Sequence, residues 1–197
     1  MNEKHPLVSI IIANHNGKGL MAECLDSLSR INYPKSRVEI FMVDNRSDDG
    51  SVAFIKVKYK NVKIIENEVN NYCRANNLGI AKSGGEYVVL LNNDVRVTDG
   101  WLEELVKIMQ EDISVGAATS KLLQENGTIQ NAGLYELPNF YWGERGAGKE
   151  SKDYGTLTEV DALSGASVIY RKKALDEVGP FDEDFVMFGE DVDMSIR

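Results

Sequence analysis

Three groups of oxygen-bearing side chains carry the chemical potential of this sequence, and each follows an apolar run. Asp44 closes Val38 to Val43, Asn92-Asn93-Asp94 closes Tyr87 to Leu91, and Glu190-Asp191 with Asp193 follows Phe185-Val186-Met187-Phe188-Gly189. An ionised carboxylate only accepts hydrogen bonds, so Asp44 suits the imide N–H of uracil or thymine, or the donor edge of guanine. Taken alone it reads rather as a helix-capping or turn residue, because Asn45-Arg46-Ser47-Asp48-Asp49-Gly50 is turn chemistry. Asp94 offers a hard oxygen at the mouth of a buried strand, where a metal beside a diphosphate would need one. Glu190 and Asp191 either complement a helix dipole or supply a general base, and like-charge crowding with partial burial would raise a carboxyl pKa toward that use. Asp182, Glu183 and Asp184 read as a solvated face. The Asn-rich segment from Asn67 through Asn71, Asn76 and Asn77 contains Arg74, whose guanidinium matches phosphate oxygens. Tyr141 and Trp142 can stack on a sugar face or pack back onto their own domain.

Such residues need a frame. Apolar runs of strand length alternate with segments of helical period, the pattern of an α/β sheet with crossover helices. The expected strands are Val8 to Ala13, Val38 to Val43, Val62 to Ile65 and Tyr87 to Leu91. Leu20, Cys24, Leu28 and Ile31 mark one face of a first helix that ends before Tyr33-Pro34, and further helices are expected over Ser51 to Tyr59 and Tyr72 to Lys82. Thr98 is placed to cap a helix with Leu102, Leu105, Val106 and Met109 on its inner face. Trp101, Cys24 and Cys73 read as core. Leu137 to Thr158 has no clear period and is expected to be a long functional loop. Val160 to Tyr170 is strand-like, and Arg171 to Val178 helical. Asn14, Asp44 and Asp94 then fall at strand ends, where open α/β sheets bind ligands.

Composition narrows the classes. The net charge of -9 across 197 residues argues against a nucleic-acid binder, which needs a basic footprint. It leaves room for a nucleotide bridged to carboxylates by a divalent cation. Two cysteines and two histidines, His5 and His15, supply neither a disulfide framework nor a zinc site. Leu7 to Ala13 is too short to span a bilayer, so a cytoplasmic protein is expected, with work at the inner face of the membrane left open. The first strand is not followed by Gly-x-Gly-x-x-Gly, which argues against a dinucleotide oxidoreductase.

The order of the motifs is more specific than any one of them. Val8-Ser9-Ile10-Ile11-Ile12, Asn14-His15-Asn16-Gly17, Val43-Asp44-Asn45 with Ser47 and Asp49-Gly50-Ser51, Asn76-Asn77-x-Gly79, and Asn92-Asn93-Asp94 follow one another along the chain. Gly165-Ala166 through Arg171, Val178-Gly179-Pro180-Phe181-Asp182-Glu183 and Gly189-Glu190-Asp191-x-Asp193 complete the series. This succession resembles the family 2 glycosyltransferases, and most nearly their rhamnosyltransferase-like branch.

The resemblance implies an α/β GT-A fold, a three-layer sandwich around a mixed, mainly parallel sheet. It implies a single catalytic domain over residues 1–197, with a donor nucleotide half (1–94), an acceptor half (95–197), and further residues C-terminal to Arg197 that include a metal-binding histidine. Asp44 would recognise the base, with Asn14, His15 and Asn16 lining the same pocket and Arg74, Asn77 and Asn93 also on the nucleotide. Asp94 and Asn92 would hold Mg²⁺ or Mn²⁺. Asp191, with Glu190 beside it, would be the catalytic base of an inverting transfer to an acceptor hydroxyl. The implied donor is a nucleoside-diphosphate sugar, UDP or dTDP favoured and GDP admissible, and the implied acceptor is a glycan or lipid-linked molecule in surface polysaccharide synthesis. The rivals are a catalytically silent nucleotide-sugar-binding domain and a sugar nucleotidyltransferase. The latter would carry a Gly-rich basic loop after the first strand, where Asn14 to Gly19 has a single lysine.

Overall fold

The computed structural model describes residues 5–197. Strands and helices alternate at first: β1 (Val8–Asn14), α1 (Lys18–Leu28), β2 (Val38–Asn45), α2 (Ser51–Lys58), β3 (Val62–Asn67), α3 (Tyr72–Lys82) and β4 (Tyr87–Leu91). Helix α4 (Trp101–Glu111) leads to five short strands: β5 (Ala117–Thr119), β6 (Leu122–Leu123), β7 (Ile129–Asn131), β8 (Leu134–Leu137) and β9 (Tyr141–Glu144). Strand β10 (Ser167–Arg171), α5 (Lys172–Val178) and α6 (Glu190–Ile196) finish the chain.

The main sheet has the order β3-β2-β1-β4-β10-β5. Strands β1 to β4 are parallel, and β10 runs antiparallel to both β4 and β5. Alternate residues of each strand face opposite helical layers. Ile10, Ile12, Met42, Val89 and Leu91 pack with Met21, Cys24, Ile55, Leu102 and Met109. Ile11, Val43, Val88 and Leu90 pack with Cys73, Ala75, Leu175 and Met194 on the other side. A sheet covered on both faces needs near-continuous apolar strands, which is why those runs stand out in the sequence. This is the expected three-layer α/β sandwich. Among the described residues no helix is long and apolar enough to cross a membrane.

Several boundaries differ from expectation. Strands β1, β2 and β3 run on into polar residues, so Asn14, Asp44, Asn45, Glu66 and Asn67 belong to the ladder. Ile31 lies beyond the end of α1 yet is buried. Helix α4 starts at Trp101 after Gly100 in the left-handed region (φ 77°), and Thr98 contributes its backbone carbonyl rather than a side-chain cap. Leu137 to Thr158 is not one loop, because β9 within it pairs as an antiparallel hairpin with β8, which ends at Leu137. Of Val160 to Tyr170 only the stretch from Ser167 forms a strand, which extends to Arg171, so α5 begins one residue later than expected.

Successive strands leave β1 on one side toward β2 and β3, and on the other toward β4. The crevice beyond the carboxyl ends of β1 and β4 is therefore a topological switch point. Helix α3 approaches β1 closely, because Gly79 carries no side chain: a Cβ there would sit 2.4 Å from Ile11 Cγ2. Gly79→Ala gains about 1 kcal/mol of helix propensity. Overpacking against a fully buried strand costs about 1–3 kcal/mol and wins. The variant should lose stability in urea denaturation; an unchanged or raised midpoint would contradict this packing.

Candidate functional site

Asn14 ends the central strand and is only 1% exposed. A carboxamide buried there must find partners within the protein. Its Nδ2 lies 3.2 Å from Asp44 Oδ1, 3.1 Å from Ser51 Oγ and 3.2 Å from Ser47 Oγ. Its Oδ1 accepts from Asn93 Nδ2 at 3.0 Å. In-register pairing of Asn14 with Asp44, and of Asp44 with Glu66, puts the three on one face of adjacent strands.

The turns after β1 and β2 are stitched into one rim. Asn16, in the left-handed region at φ 51°, donates its N–H to Ser47 Oγ and accepts from the Asp48 N–H, both at 2.9 Å. The Lys18 N–H donates to Asp49 Oδ2 and the Ser51 N–H to Asp49 Oδ1. Burial opposes the Asp49 charge, but these bonds and the Ser51 hydroxyl outweigh it and hold the carboxyl below its usual range. His15 is exposed, with Nδ1 2.8 Å from the Asn45 carbonyl. A carbonyl only accepts, so Nδ1 carries the proton and Nε2 faces outward as an acceptor when the ring is neutral.

A cleft of about 600 Å³ opens beside this rim, lined by Asp44, Arg46, Ser47, Val52, Glu66, Asn67 and Glu68. Asp44 is 4% exposed and accepts the Ser47 N–H on Oδ2 at 2.9 Å. Each carboxylate oxygen retains a lone pair after these protein contacts, enough for a donor from a base.

At the end of β4, Asn92 is fixed from three directions. Its N–H donates to the Ala166 carbonyl (2.9 Å), its carbonyl accepts from the Cys24 thiol (3.8 Å), and its Oδ1 accepts from the Tyr72 hydroxyl (2.9 Å). Burial pushes the Tyr72 phenol up, which keeps it a donor. Burial and the nearby Asp94 charge push the Cys24 thiol up to about 12, so it is a packing group and not a nucleophile. Asp94 itself is exposed at the crevice. Among the described residues no three His, Cys, Asp or Glu side chains gather to hold a metal unaided. One exposed carboxylate, with the second lone pair of Asn92 Oδ1, nonetheless fits an oxygen-loving divalent cation that takes its other ligands from water and phosphate.

Asp191 is the second residue of α6 and is half-buried. Its Oδ2 accepts the Gly165 N–H at 3.1 Å, and Ser195 ties the Asp191 carbonyl to the Leu163 N–H. Residues 165 and 166 therefore hold the Asp191 carboxylate on one side and the Asn92 backbone on the other. Glu190 is 7% exposed, and its Oε2 is buried without a hydrogen-bond partner. Burial, then the Asp191 charge, raises its pKa above the ordinary 4.5.

The structure thus brings Asn14, His15, Asn16, Asp44, Asn92, Asn93 and Asp94 to one crevice, and joins Asp191 to it through residues 165 and 166. Arg74 is half-exposed beside it, with Nε donating to Asn67 Oδ1 (3.1 Å) and the guanidinium 3.6 Å from Glu183. Asn77 is engaged elsewhere: its carboxamide both donates to the Phe181 carbonyl and accepts the Phe181 N–H, each at 2.9 Å. Trp101 packs against the core, its indole N–H reaching Ser120 and Ser167. Tyr141 is exposed on the hairpin. Tyr72, Ser51 and Gly17 earned no role from sequence. Gly17 and Ser51 stood there only as members of the motif stretches Asn14-His15-Asn16-Gly17 and Asp49-Gly50-Ser51, and Tyr72 only within the Asn-rich segment.

The sequence matches the family described as "Glycosyl transferase family 2" over residues 9–179. It is 31% identical over 205 residues to the O-antigen biosynthesis protein RfbC of Myxococcus xanthus, covering 98% of this chain and 16% of that protein. The chain spans less than two-thirds of the length of curated relatives that it matches. Among solved structures it shares its fold with S. aureus TarS 1-349 in complex with UDP (TM-score 0.70, 20% identity, 96% of this chain and 54% of that one). It also shares it with the mannosyltransferase PcManGT from Pyrobaculum calidifontis in complex with GDP-Man and Mn2+ (TM-score 0.69, 21% identity, 96% and 51%).

The Glu190 environment has a pH signature. The folded state holds this proton more tightly than the unfolded chain, whose carboxyl titrates near 4.5. Its contribution to stability is complete below that value and is lost as pH rises through the higher folded pKa. Glu190→Gln removes the titration, so its melting temperature should gain on that of the wild type as pH rises from 4.5 to 7. A difference that stays constant, or that grows on acidification, would contradict the assignment.

Proposed function

Because this chain belongs to glycosyl transferase family 2, we propose that it is the catalytic domain of an inverting glycosyltransferase. The proposed reaction moves a sugar from a nucleoside-diphosphate sugar to an acceptor hydroxyl. What supports this is the hydrogen-bonded path at the switch point of the sheet, which runs from Asp44 through Asn14 to Asn93, beside Asp94, and from Asn92 through residues 166 and 165 to Asp191.

In this proposal Asp44 accepts the N–H of the base inside the cleft, with His15 and Asn16 on its rim. Asn93 and Arg74 take the diphosphate side. Asp94, with Asn92, would hold Mg²⁺ or Mn²⁺, and a bound cation neutralises charge on the departing nucleoside diphosphate. Asp191, steadied by the Gly165 N–H, takes the proton from the acceptor hydroxyl as that oxygen attacks the anomeric carbon. Attack opposite the leaving group inverts the configuration there. Glu190 stays buried behind Asp191 and adds to the electrostatic crowding around the base. Residues 1–94 carry most of the donor site, and 95–197 most of the acceptor side.

UDP or dTDP is the favoured nucleotide, with GDP admissible, since the structural neighbours include complexes with UDP and with GDP-Man. A glycan or lipid-linked acceptor in surface polysaccharide synthesis agrees with the name of the Myxococcus relative. Such work belongs in the cytoplasm or at the inner face of the membrane.

Calorimetry with UDP, dTDP and GDP, with and without Mn²⁺, tests the donor site: one of the three should bind, and failure of all three would overturn the proposal. Asp191→Asn in the full-length protein should lower transfer by about 10²–10⁴-fold and leave nucleotide affinity within about twofold. A loss of affinity matching the loss of rate would make Asp191 a binding group and leave a binding domain as the better description.

A further inference from the structure

The chemistry of Asn14 fixes which way its carboxamide points. Its N–H₂ faces the Asp44 carboxylate, which can only accept, and its oxygen faces the N–H₂ of Asn93, which can only donate. Turning the amide over would set its oxygen against a carboxylate and its hydrogens against hydrogens. At 1% exposure it has no surface to offer a ligand. The group nonetheless spans the two parts of the proposed site, touching the base acceptor at one end and the neighbour of Asp94 at the other.

Gly17 shows how closely this bridge is packed. It starts the turn into α1, and a Cβ on it would lie 2.4 Å from Asn93 Nδ2 and 2.8 Å from Asn14 Oδ1. The backbone there, at φ -111° and ψ 36°, is not in the left-handed region. What Gly17 protects is the Asn14–Asn93 contact, not a glycine-only conformation.

We propose that Asn14 is a positioning residue that couples recognition of the base at Asp44 to binding of the metal-bound diphosphate at Asn93 and Asp94. This rests on the donor-site proposal above. Donation to a charged acceptor polarises an amide and makes its oxygen a better acceptor, so the Asp44 and Asn93 bonds strengthen one another. Locking the Asn93 side chain also fixes the short segment that carries Asp94. Filling one half of the site therefore pre-organises the other, and the affinities become linked. Asn14 does this without touching either ligand, which sets it apart from the pocket-lining role that sequence suggested for it.

The coupling is read as a ratio: the affinity for the nucleoside diphosphate with Mn²⁺ divided by its affinity without. The probe is whichever of UDP, dTDP and GDP the wild type binds best, with the matching nucleoside as control. Asn14→Leu, Asn93→Ala and Gly17→Ala should each lower the ratio about tenfold. Nucleoside affinity should stay within about threefold in Gly17→Ala, which removes no hydrogen-bonding group. Asn14→Leu combined with Asn93→Ala should lower the ratio no further than either alone, as expected when both cut one link.

An Asn14 that merely supports the fold would reduce melting temperature and nucleoside affinity while leaving the ratio alone, and that result overturns the proposal. An unchanged ratio in Gly17→Ala and Asn93→Ala overturns it too, and decides the matter even if Asn14→Leu does not fold. A wild type that binds the nucleotide with no response to Mn²⁺ removes the coupling and leaves the donor site standing. A wild type that binds none of the three nucleotides removes both.

Discussion

A polar side chain at the end of a buried central strand must be fully satisfied or it destabilises the fold by several kcal/mol. Asn14 meets that requirement at the one place in the sheet where neighbouring strands connect in opposite directions. Its partners come from the turn after β2, the start of α2 and the end of β4. Satisfying this single carboxamide therefore fixes three chain segments relative to one another. The rim formed by Asn16, Ser47, Asp48 and Asp49 extends the same network outward to the surface. Asp44, held between Asn14 and the Ser47 N–H, is presented to the cleft in one orientation.

The second half of the chain reaches this edge because one strand is reversed. Strand β10 is antiparallel to β4, with Ser167 opposite Leu91. The residues just before β10 therefore lie beyond the carboxyl end of β4, beside Asn92. From there the Ala166 carbonyl holds Asn92 while the Gly165 N–H holds Asp191. A carboxylate nearly a hundred residues downstream of Asp94 is thus tied to the end of β4 by one backbone–backbone bond and one bond from a backbone N–H to its own oxygen. The buried neighbour Glu190, crowded by Asp191 and lacking a partner for Oε2, is the electrostatic cost of bringing that helix inward.

Much of this was legible in the sequence. Strands buried on both faces announce themselves, and Tyr87–Leu91 was placed to the residue. The inner face of α4 followed from its period, with Leu102, Leu105, Val106 and Met109 all buried. Strand ends were harder, because the ladder continues through Asn14, Asp44 and Asn67, whose types suggest turns. The β8–β9 hairpin escaped because its strands are exposed on most positions and show no two-residue alternation. At the site, the residues that gather were anticipated, while their partnerships were not. Sequence could place Asn14 and Asn77 near a ligand, but not reveal that Asn14 bridges two motifs or that Asn77 is committed to the Phe181 backbone. Contacts between residues 79 positions apart leave no local pattern to read.

For an acidic chain to bind the proposed anionic donor, a cation must lie between them, and the exposed Asp94 is its proposed ligand. Paramagnetic broadening of backbone amides by Mn²⁺ in the presence of saturating nucleoside diphosphate tests that placement directly. The amides of Asn92, Asn93, Asp94 and Gly165 should broaden first, and those of α4 should not. Early broadening at another acidic cluster, such as Asp182 to Asp184, with Asp94 unaffected, would contradict the account.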